Sequence, residues 1–428
     1  MTIDYAIQTN IENAVDTLFD QQVDLLKALV AIPSLRGQEA PCQDLMAATL
    51  RRMGYEVDQW RLEVEELQHH PGFSPVMYTN YARAYNVVGT HRPRRQQGRS
   101  LILQGHVDVV PTGPAEQWAS PPFVPTIRDG WLYGRGAGDM KNGLTANLYA
   151  VEALKLAGYQ PAAPLYQQSV IEEECTGNGA LATILRGYQA DAVLITEPHR
   201  EQLMTAQVGV IWVQVELNVV PLHAGQTNST FNVIEACFPI MQALRQLEAR
   251  WNTEKTPSFA DVAYPVKFVI TKIQGGEWSS STPSRCSFDV RIGIYPEWEV
   301  SACQAEIEQT IRQAAAQDSV LAQNPPIIRW HGFLSPGYIL PEKTDAEAAL
   351  AVAHQAICQS PLQQHKGTAL TDSRFYGLYQ QTPALVYGAM TKNSHSFDEG
   401  VELASLRRVT KVLACFVAEW CGLEERTL

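Results

Sequence analysis

At 428 residues and 47.5 kDa the chain exceeds the size at which one hydrophobic core keeps growing, so two domains are expected, and a hydrophobic share of 45% is ample to fill them. A net charge of −12, a pI near 5.4 and the lack of any Lys/Arg cluster long enough to follow a phosphate backbone exclude nucleic acid and anionic membrane as partners and favour a small molecule. The N-terminus MTIDYAIQTNIENAVDTLFD is acidic where a secretion signal needs a basic segment and an apolar block, and no apolar run reaches membrane-spanning length, so a cytoplasmic protein is expected.

In chain order, apolar residues at helical spacing predict helices over 13–31 and 39–53, separated by Ile32-Pro33-Ser34 and closed by Gly54. Strands follow at 57–60 and 84–90, around a polar insertion at 61–83 whose His69-His70 pair reads as solvated. The run 101–103, Leu-Ile-Leu, has the composition of a buried parallel strand and ends on Gly105-His106-Val107-Asp108. In open α/β sheets ligands sit beyond the carboxyl ends of the strands, so His106 and Asp108 are delivered to a site. Two residues apart on an extended backbone, they share a face, and the carboxylate can hold the imidazole in one tautomer.

Asp139 comes next, inside the glycine-dense turn Gly134-Arg135-Gly136-Ala137-Gly138, followed by an amphipathic helix at 144–156. A phosphate loop is excluded, because no Lys-Ser or Lys-Thr closes it and the glycine spacing misses the dinucleotide fingerprint. The predicted strand 165–171 runs into Glu172-Glu173-Glu174, and that at 192–195 into Thr196-Glu197-Pro198-His199. Three adjacent carboxylates are costly without a cation, the alternative being a solvated acidic turn. Clustering with His106 and Asp139 at neighbouring strand ends favours the site.

From about Gln207 the pattern changes to strand 208–220, helix 231–251, strands 266–273 and 285–294, helix 300–317 and strand 326–330, the β-α-β-β-α-β order of a ferredoxin-like unit. The first pattern then resumes with a helix at 345–358, a strand at 384–387, the segment Asn393-Ser394-His395-Ser396 and a helix at 403–420. The expected fold class is α/β, a mostly parallel sheet flanked by helices, over 1–206 and 334–428, with an α+β domain inserted at 207–333. Eight cysteines without a CxxC pair read as small buried hydrophobes rather than a zinc knuckle or disulfide framework.

Collected, the ligand-type residues are His106, Asp139, Glu174, Glu197 and His395. Two imidazoles and three carboxylates suit a pair of divalent ions such as zinc with one carboxylate bridging. Glu173, beside Glu174 on what reads as extended backbone, cannot point the same way and is left free as a general base.

The segments GHVDVVP, GRGAGDMKNG, EEECTGNG, TEPH, HAGQTNSTFNVIEA, GGEWSSSTPSRCSFDVR, TDSRF and SHSFDE run in order from residue 105 to 399. In them the chain resembles the co-catalytic zinc metallopeptidase and deacylase family of acetylornithine deacetylase, succinyl-diaminopimelate desuccinylase, aminoacylase and glutamate carboxypeptidase. The resemblance implies two Zn2+ per subunit, with Co2+ or Mn2+ as substitutes. His106 and Glu197 would hold one ion, Glu174 and His395 the other, and Asp139 would bridge. Asp108 would orient His106, and Glu173 would activate the water shared by the two ions. The inserted domain becomes a lid and dimerisation domain, and His223 would reach the partner's active site in a homodimer, the alternative being an ordinary lid-surface histidine. Arg374, Arg291 and Asn232 are the implied substrate contacts; either arginine could equally be a structural ion pair. Thr196, Ser280 and His365-Lys366-Gly367 depart from the family pattern, which bears on the acyl and carboxylate pockets rather than on the metal core.

The expected function is removal of a small acyl group from an N-acylated amino acid or related amine. Alternatives are an N-formyl-aminopyrimidine deformylase of thiamine salvage, suggested by the 61–83 insertion and the GGEWSSSTPSRC segment, and a metallo-dipeptidase or carboxypeptidase. A serine or cysteine hydrolase lacks a GxSxG, and Cys175 lies among carboxylates that disfavour its thiolate. Retention of Glu173 with all five ligands speaks against a non-catalytic binding protein on the same fold.

Overall fold

The computed structural model describes residues 4–77, 80–225 and 231–426. The Leu101–His106 strand, buried along its whole length, lies between two parallel neighbours, Leu165–Val170 and Ala192–Ile195, and Ala384–Val386 adds a further parallel strand. The other edge turns antiparallel through Tyr85–His91 and Glu56–Arg61. The apolar run Leu-Ile-Leu is buried on both faces, which is what a central parallel strand covered by helices requires. Helices Tyr5–Val30, Lys141–Leu156, Asp345–Cys358 and Leu403–Cys421 pack together along this sheet. No helix among the described residues is long and apolar enough to cross a membrane.

The register brings His106 opposite Val170 and Gln104 opposite Ile195, so the carboxyl ends of the three central strands are level. The residues that follow them, Asp108, Glu173, Glu174 and Glu197, therefore emerge side by side. The helix after the glycine turn begins at Lys141, one turn earlier than expected. Its first turn is anchored there because the buried Lys141 ammonium donates to the carbonyls of Leu29 and Ile32. Gly143, in that turn, lies so close to the Thr196 carbonyl that a Cβ would come within 2.3 Å of it, which lets the helix start pack directly on the strand end bearing Glu197.

A second hydrophobic core is built from Ala206 to Leu321. Its sheet runs Phe268–Gly275, Arg285–Ile294, Gly209–Asn218, Ile327–Ser335, antiparallel throughout, with helices Cys237–Thr253 and Val300–Ala315. The expected helix at 231–251 starts only at Cys237, and 226–230 of the HAGQTNSTFNVIEA segment lie outside the described residues. Alternation in the central strands sends Val213, Val215, Phe288, Val290 and Ile292 into this core and leaves Trp212, Gln214, Asp289 and Arg291 on the opposite face. That polar face is turned toward the carboxyl ends of the first sheet. All eight cysteines are free, and all but Cys358 are buried.

Candidate active site

His106 is fully buried, and its Nδ1 lies 2.9 Å from the Asp108 carbonyl oxygen. The Asp108 carboxylate stands farther off, at 3.4 Å, and accepts instead from the backbone N–H groups of Glu173 and Glu174 at 3.2 and 3.1 Å. Asp108 thus orients His106 through its main chain and uses its side chain to shape the acidic turn. The other ring nitrogen, Nε2, faces Asp139 Oδ1 at 3.4 Å and Glu197 Oε1 at 3.5 Å. On the far side of Asp139, His395 Nε2 stands 3.5 Å from Oδ2 and 2.9 Å from Glu174 Oε2. Asp139 presents one oxygen to each histidine, so two half-sites, His106/Glu197 and Glu174/His395, meet at it.

The three adjacent glutamates diverge because 172–175 form a turn, with Glu172 at φ 63°, rather than the extended segment expected. Glu172 points away, held by Arg36 at 2.8 Å, by the Thr176 hydroxyl at 2.7 Å and by the Tyr81 hydroxyl. Glu173 Oε2 lies 3.8 Å from His106 Nε2, and its ligand atoms cluster with those of His106 and Glu197, while Glu174 turns to His395.

Among the described residues, buried His106 Nε2, Glu173 Oε1, Glu174 Oε1 and Glu197 Oε1 have no hydrogen-bond partner. Unpaired acceptors at such density are costly unless a cation completes them. Burial, then the charge of Asp139, pushes Glu197 up to about 8; burial raises Glu174 and, with the charge of Glu197, lifts Glu173 well above the carboxylate range. Burial pulls His106 down, but Asp108, Asp139 and Glu197 outweigh it and raise the imidazole, while Glu174 lifts the half-exposed His395 to about 9. Asp139, despite burial, is held at about 2 by the two histidines.

These directions make a stability prediction for the metal-free protein. The folded chain holds protons on Glu173, Glu174, Glu197, His106 and His395 that the unfolded chain releases, so the stability these groups contribute falls as pH rises from about 4.5 to about 9. Asp139 opposes this only below the ordinary aspartate value of 3.8, whereas burial, by holding His199 down to about 3 and lowering His91, His331, His354 and His365, opposes it up to the ordinary imidazole value of 6.5. The rise in Tm on adding zinc should therefore be larger at about pH 8.5 than at about pH 5.5, because binding displaces those protons. A zinc-induced rise in Tm that is the same at both pH values, or smaller at the higher one, contradicts the arrangement.

Glu399 is a part of the site that the residue pattern did not single out, although it closes the SHSFDE segment. Fully buried, it accepts from the backbone N–H of Gly136, Gly138 and Asp139, each at 2.9 Å, and from Arg135. The glycine-dense turn is wrapped around this carboxylate, which sets where Asp139 stands. The departures Thr196 and His365 also lie near the site: Thr196 packs against Gly143, and His365 Nε2 meets His199 Nδ1 at 2.9 Å.

A cavity of about 570 Å³ opens over Glu173, Glu174 and His395. Its remaining walls include Pro111, Leu370, Phe333 and the polar face of the second sheet with Trp212, Asp289, Arg291 and His331. Among the described residues the Arg291 side chain has no hydrogen-bond or ion-pair partner, and burial lowers its pKa. Arg374 does not reach the cavity. Buried to 1% exposure, it donates to the carbonyls of Thr371 and Thr176 at 2.7 and 3.1 Å beside Asp372, so its fork is spent on the backbone beneath the site. His223 is exposed, in a bridge with Ser281, and Asn232 lines a separate groove with Trp278 and Pro283. Neither is brought to the cavity of its own chain. His70 packs edge-on against Tyr379, away from the ligand cluster.

Two histidine–carboxylate half-sites sharing an aspartate, at the strand ends of an α/β sheet, are the arrangement of a metal-dependent hydrolase. The chain belongs to peptidase family M20/M25/M40, whose model matches residues 102–419. It is 27% identical over 434 residues to an N-formyl-4-amino-5-aminomethyl-2-methylpyrimidine deformylase of Halalkalibacterium halodurans, covering 96% of this chain and 97% of that one. It is 28% identical over 396 residues to a succinyl-diaminopimelate desuccinylase of Stenotrophomonas maltophilia, covering 90% and 95%. In fold it is similar to human carnosine dipeptidase 1, with a TM-score of 0.77, 16% identity and 97% and 99% of the two chains covered. A dipeptidase of Saccharomyces cerevisiae gives 0.79, 14%, 97% and 98%.

Proposed function

We propose that the protein is a di-zinc deacylase that removes a small acyl group from an N-acylated amino acid or related amine. The observation that carries this is Glu173, whose unpartnered carboxylate sits beside the His106/Glu197 half-site and lines the cavity over both half-sites. The unpaired inward atoms of His106, Glu174 and Glu197, joined through Asp139 to His395, fit two borderline divalent ions. When bound, such ions polarise the amide carbonyl and ease deprotonation of the attacking water. Glu173 takes that proton and returns it to the leaving amine. Arg291 stands ready on the cavity wall for a substrate carboxylate. A panel of N-acetyl, N-succinyl, N-formyl and dipeptide substrates on the zinc-loaded enzyme tests the reading; hydrolysis confined to dipeptides would overturn it. The deformylase reading is the second, supported by similarity over nearly the whole of both chains, and differs in the acyl group, a formyl, and in the amine, an aminomethylpyrimidine.

Residues 207–333 act in this reading as a lid and dimerisation domain, and His223 serves the partner's site as an oxyanion donor. Its exposure, away from its own cavity, accords with that role. Chains carrying His223→Ala and chains carrying Glu173→Ala are then each inactive as homodimers. Mixed and exchanged, they form heterodimers in which one site receives both intact residues. An oxyanion donor is worth about 10²–10³ in rate, so recovered activity should stand far above either parent. Exchanged heterodimers that form without recovery would place His223 outside the partner's chemistry.

A further inference from the structure

The polar face of the second sheet holds more chemistry over the cavity than hydrolysis of an amide requires. Asp289, on the central strand Arg285–Ile294, is 8% exposed yet incompletely paired. Its Oδ1 accepts from Gln214 at 3.0 Å, while Oδ2 has only Lys272 at 3.6 Å and His331 at 3.8 Å, both beyond hydrogen-bond length, and the Lys272 side chain is 70% exposed. Beside it, Trp212 Nε1 and His331 Nε2 are buried with no hydrogen-bond partner among the described residues. Trp212 stands edge-on to Phe333 at 5.2 Å and to His331 at 6.0 Å, and with Phe333 and Leu370 forms an apolar cluster. A cavity-facing carboxylate oxygen with no donor at hydrogen-bond length among the described residues, next to the buried Trp212 N–H, a His331 ring nitrogen without a partner and an aromatic wall, is an incomplete polar set that a ligand completes. Arg291 lies two residues along the same strand face, roughly 6.5–7 Å away by strand geometry.

We propose that this face is the amine subsite of the cavity, in which Asp289 accepts an N–H from a second nitrogen in the amine portion of the substrate while Trp212, Phe333 and Leu370 enclose its carbon skeleton. This rests on the deacylase reading and adds that the released amine carries a second N–H-bearing nitrogen. Two kinds of amine supply it: the ammonium of an α,ω-diamino acid and the ring-attached amino group of a heteroaromatic amine.

The test uses matched pairs on the zinc-loaded full chain: Nα-acetylornithine against Nα-acetylnorvaline, and N-formyl-4-amino-5-aminomethyl-2-methylpyrimidine against its analogue lacking the 4-amino group. In at least one pair the nitrogen-bearing member should be preferred in kcat/KM by about 10–100-fold, the worth of one hydrogen bond to a charged group; which pair responds identifies the source. Asp289→Ala should bring that ratio to near one and Asp289→Asn should lower it, a ratio being unmoved by a general loss of folded enzyme. Calorimetric titration of the released amines, with and without the second nitrogen, should show the same discrimination without turnover. Hydrolysis with no preference in either pair, or a preference that survives Asp289→Ala, overturns the subsite and leaves the deacylase reading standing. Discriminating binding without hydrolysis of any amide does the reverse, and absence of both overturns both.

Discussion

Glu173→Ala should keep both metals and lose roughly 10²–10⁴-fold or more in kcat, the scale of a general base. The geometry makes metal content the decisive companion measurement. Glu173 Oε2 lies 3.8 Å from His106 Nε2, whereas Glu174 is engaged with His395 at 2.9 Å. Were Glu173 a ligand of the His106/Glu197 half-site, its removal would lower the zinc content, and activity would return in part with excess zinc. As a base, the variant should bind zinc at the wild-type stoichiometry, with KM moving much less than kcat. Loss of metal from Glu173→Ala together with its retention in Glu174→Ala would exchange the roles of the two glutamates.

Chelation should abolish activity, and about two zinc ions per chain should restore it, since five ligands with one shared carboxylate make two sites. Full activity at one tightly bound ion would refute the pairing of half-sites at Asp139. Glu399→Gln gives this prediction a structural arm. It keeps the shape of the buried side chain but removes the charge that gathers the N–H groups of Gly136, Gly138 and Asp139 and the Arg135 guanidinium. Breaking a buried pair from one side is costly, so weaker zinc retention is expected even though Glu399 meets the site only through the backbone N–H of Asp139.

What the sequence determined by itself is local in character. Leu101-Ile102-Leu103 could be read as a covered central strand because its apolarity is continuous, and His106, Asp139, Glu174, Glu197 and His395 could be collected because each directly follows a strand or turn signal. The β-α-β-β-α-β order of residues 207–333 was legible because its periods switch between two and about 3.6 residues within short windows.

Only the tertiary structure decided how distant stretches share one another's polar groups. Asp108 and Glu173 are far apart in the chain, so no spacing could reveal that the Asp108 carboxylate binds the turn of Glu173 and Glu174 and leaves its carbonyl to His106. Arg374 has the residue type of a carboxylate clamp, yet burial against the carbonyls of Thr371 and Thr176 commits its donors elsewhere. Glu399 reads as a surface glutamate in a polar segment until the fold closes the glycine turn over it. Alternation predicts that Trp212, Asp289 and Arg291 share one face of a sheet, but not which way that face looks. It looks onto the carboxylates of Glu173 and Glu174 because the second core packs against its other side, and a sheet with helices on one face can turn only its opposite face to the cleft.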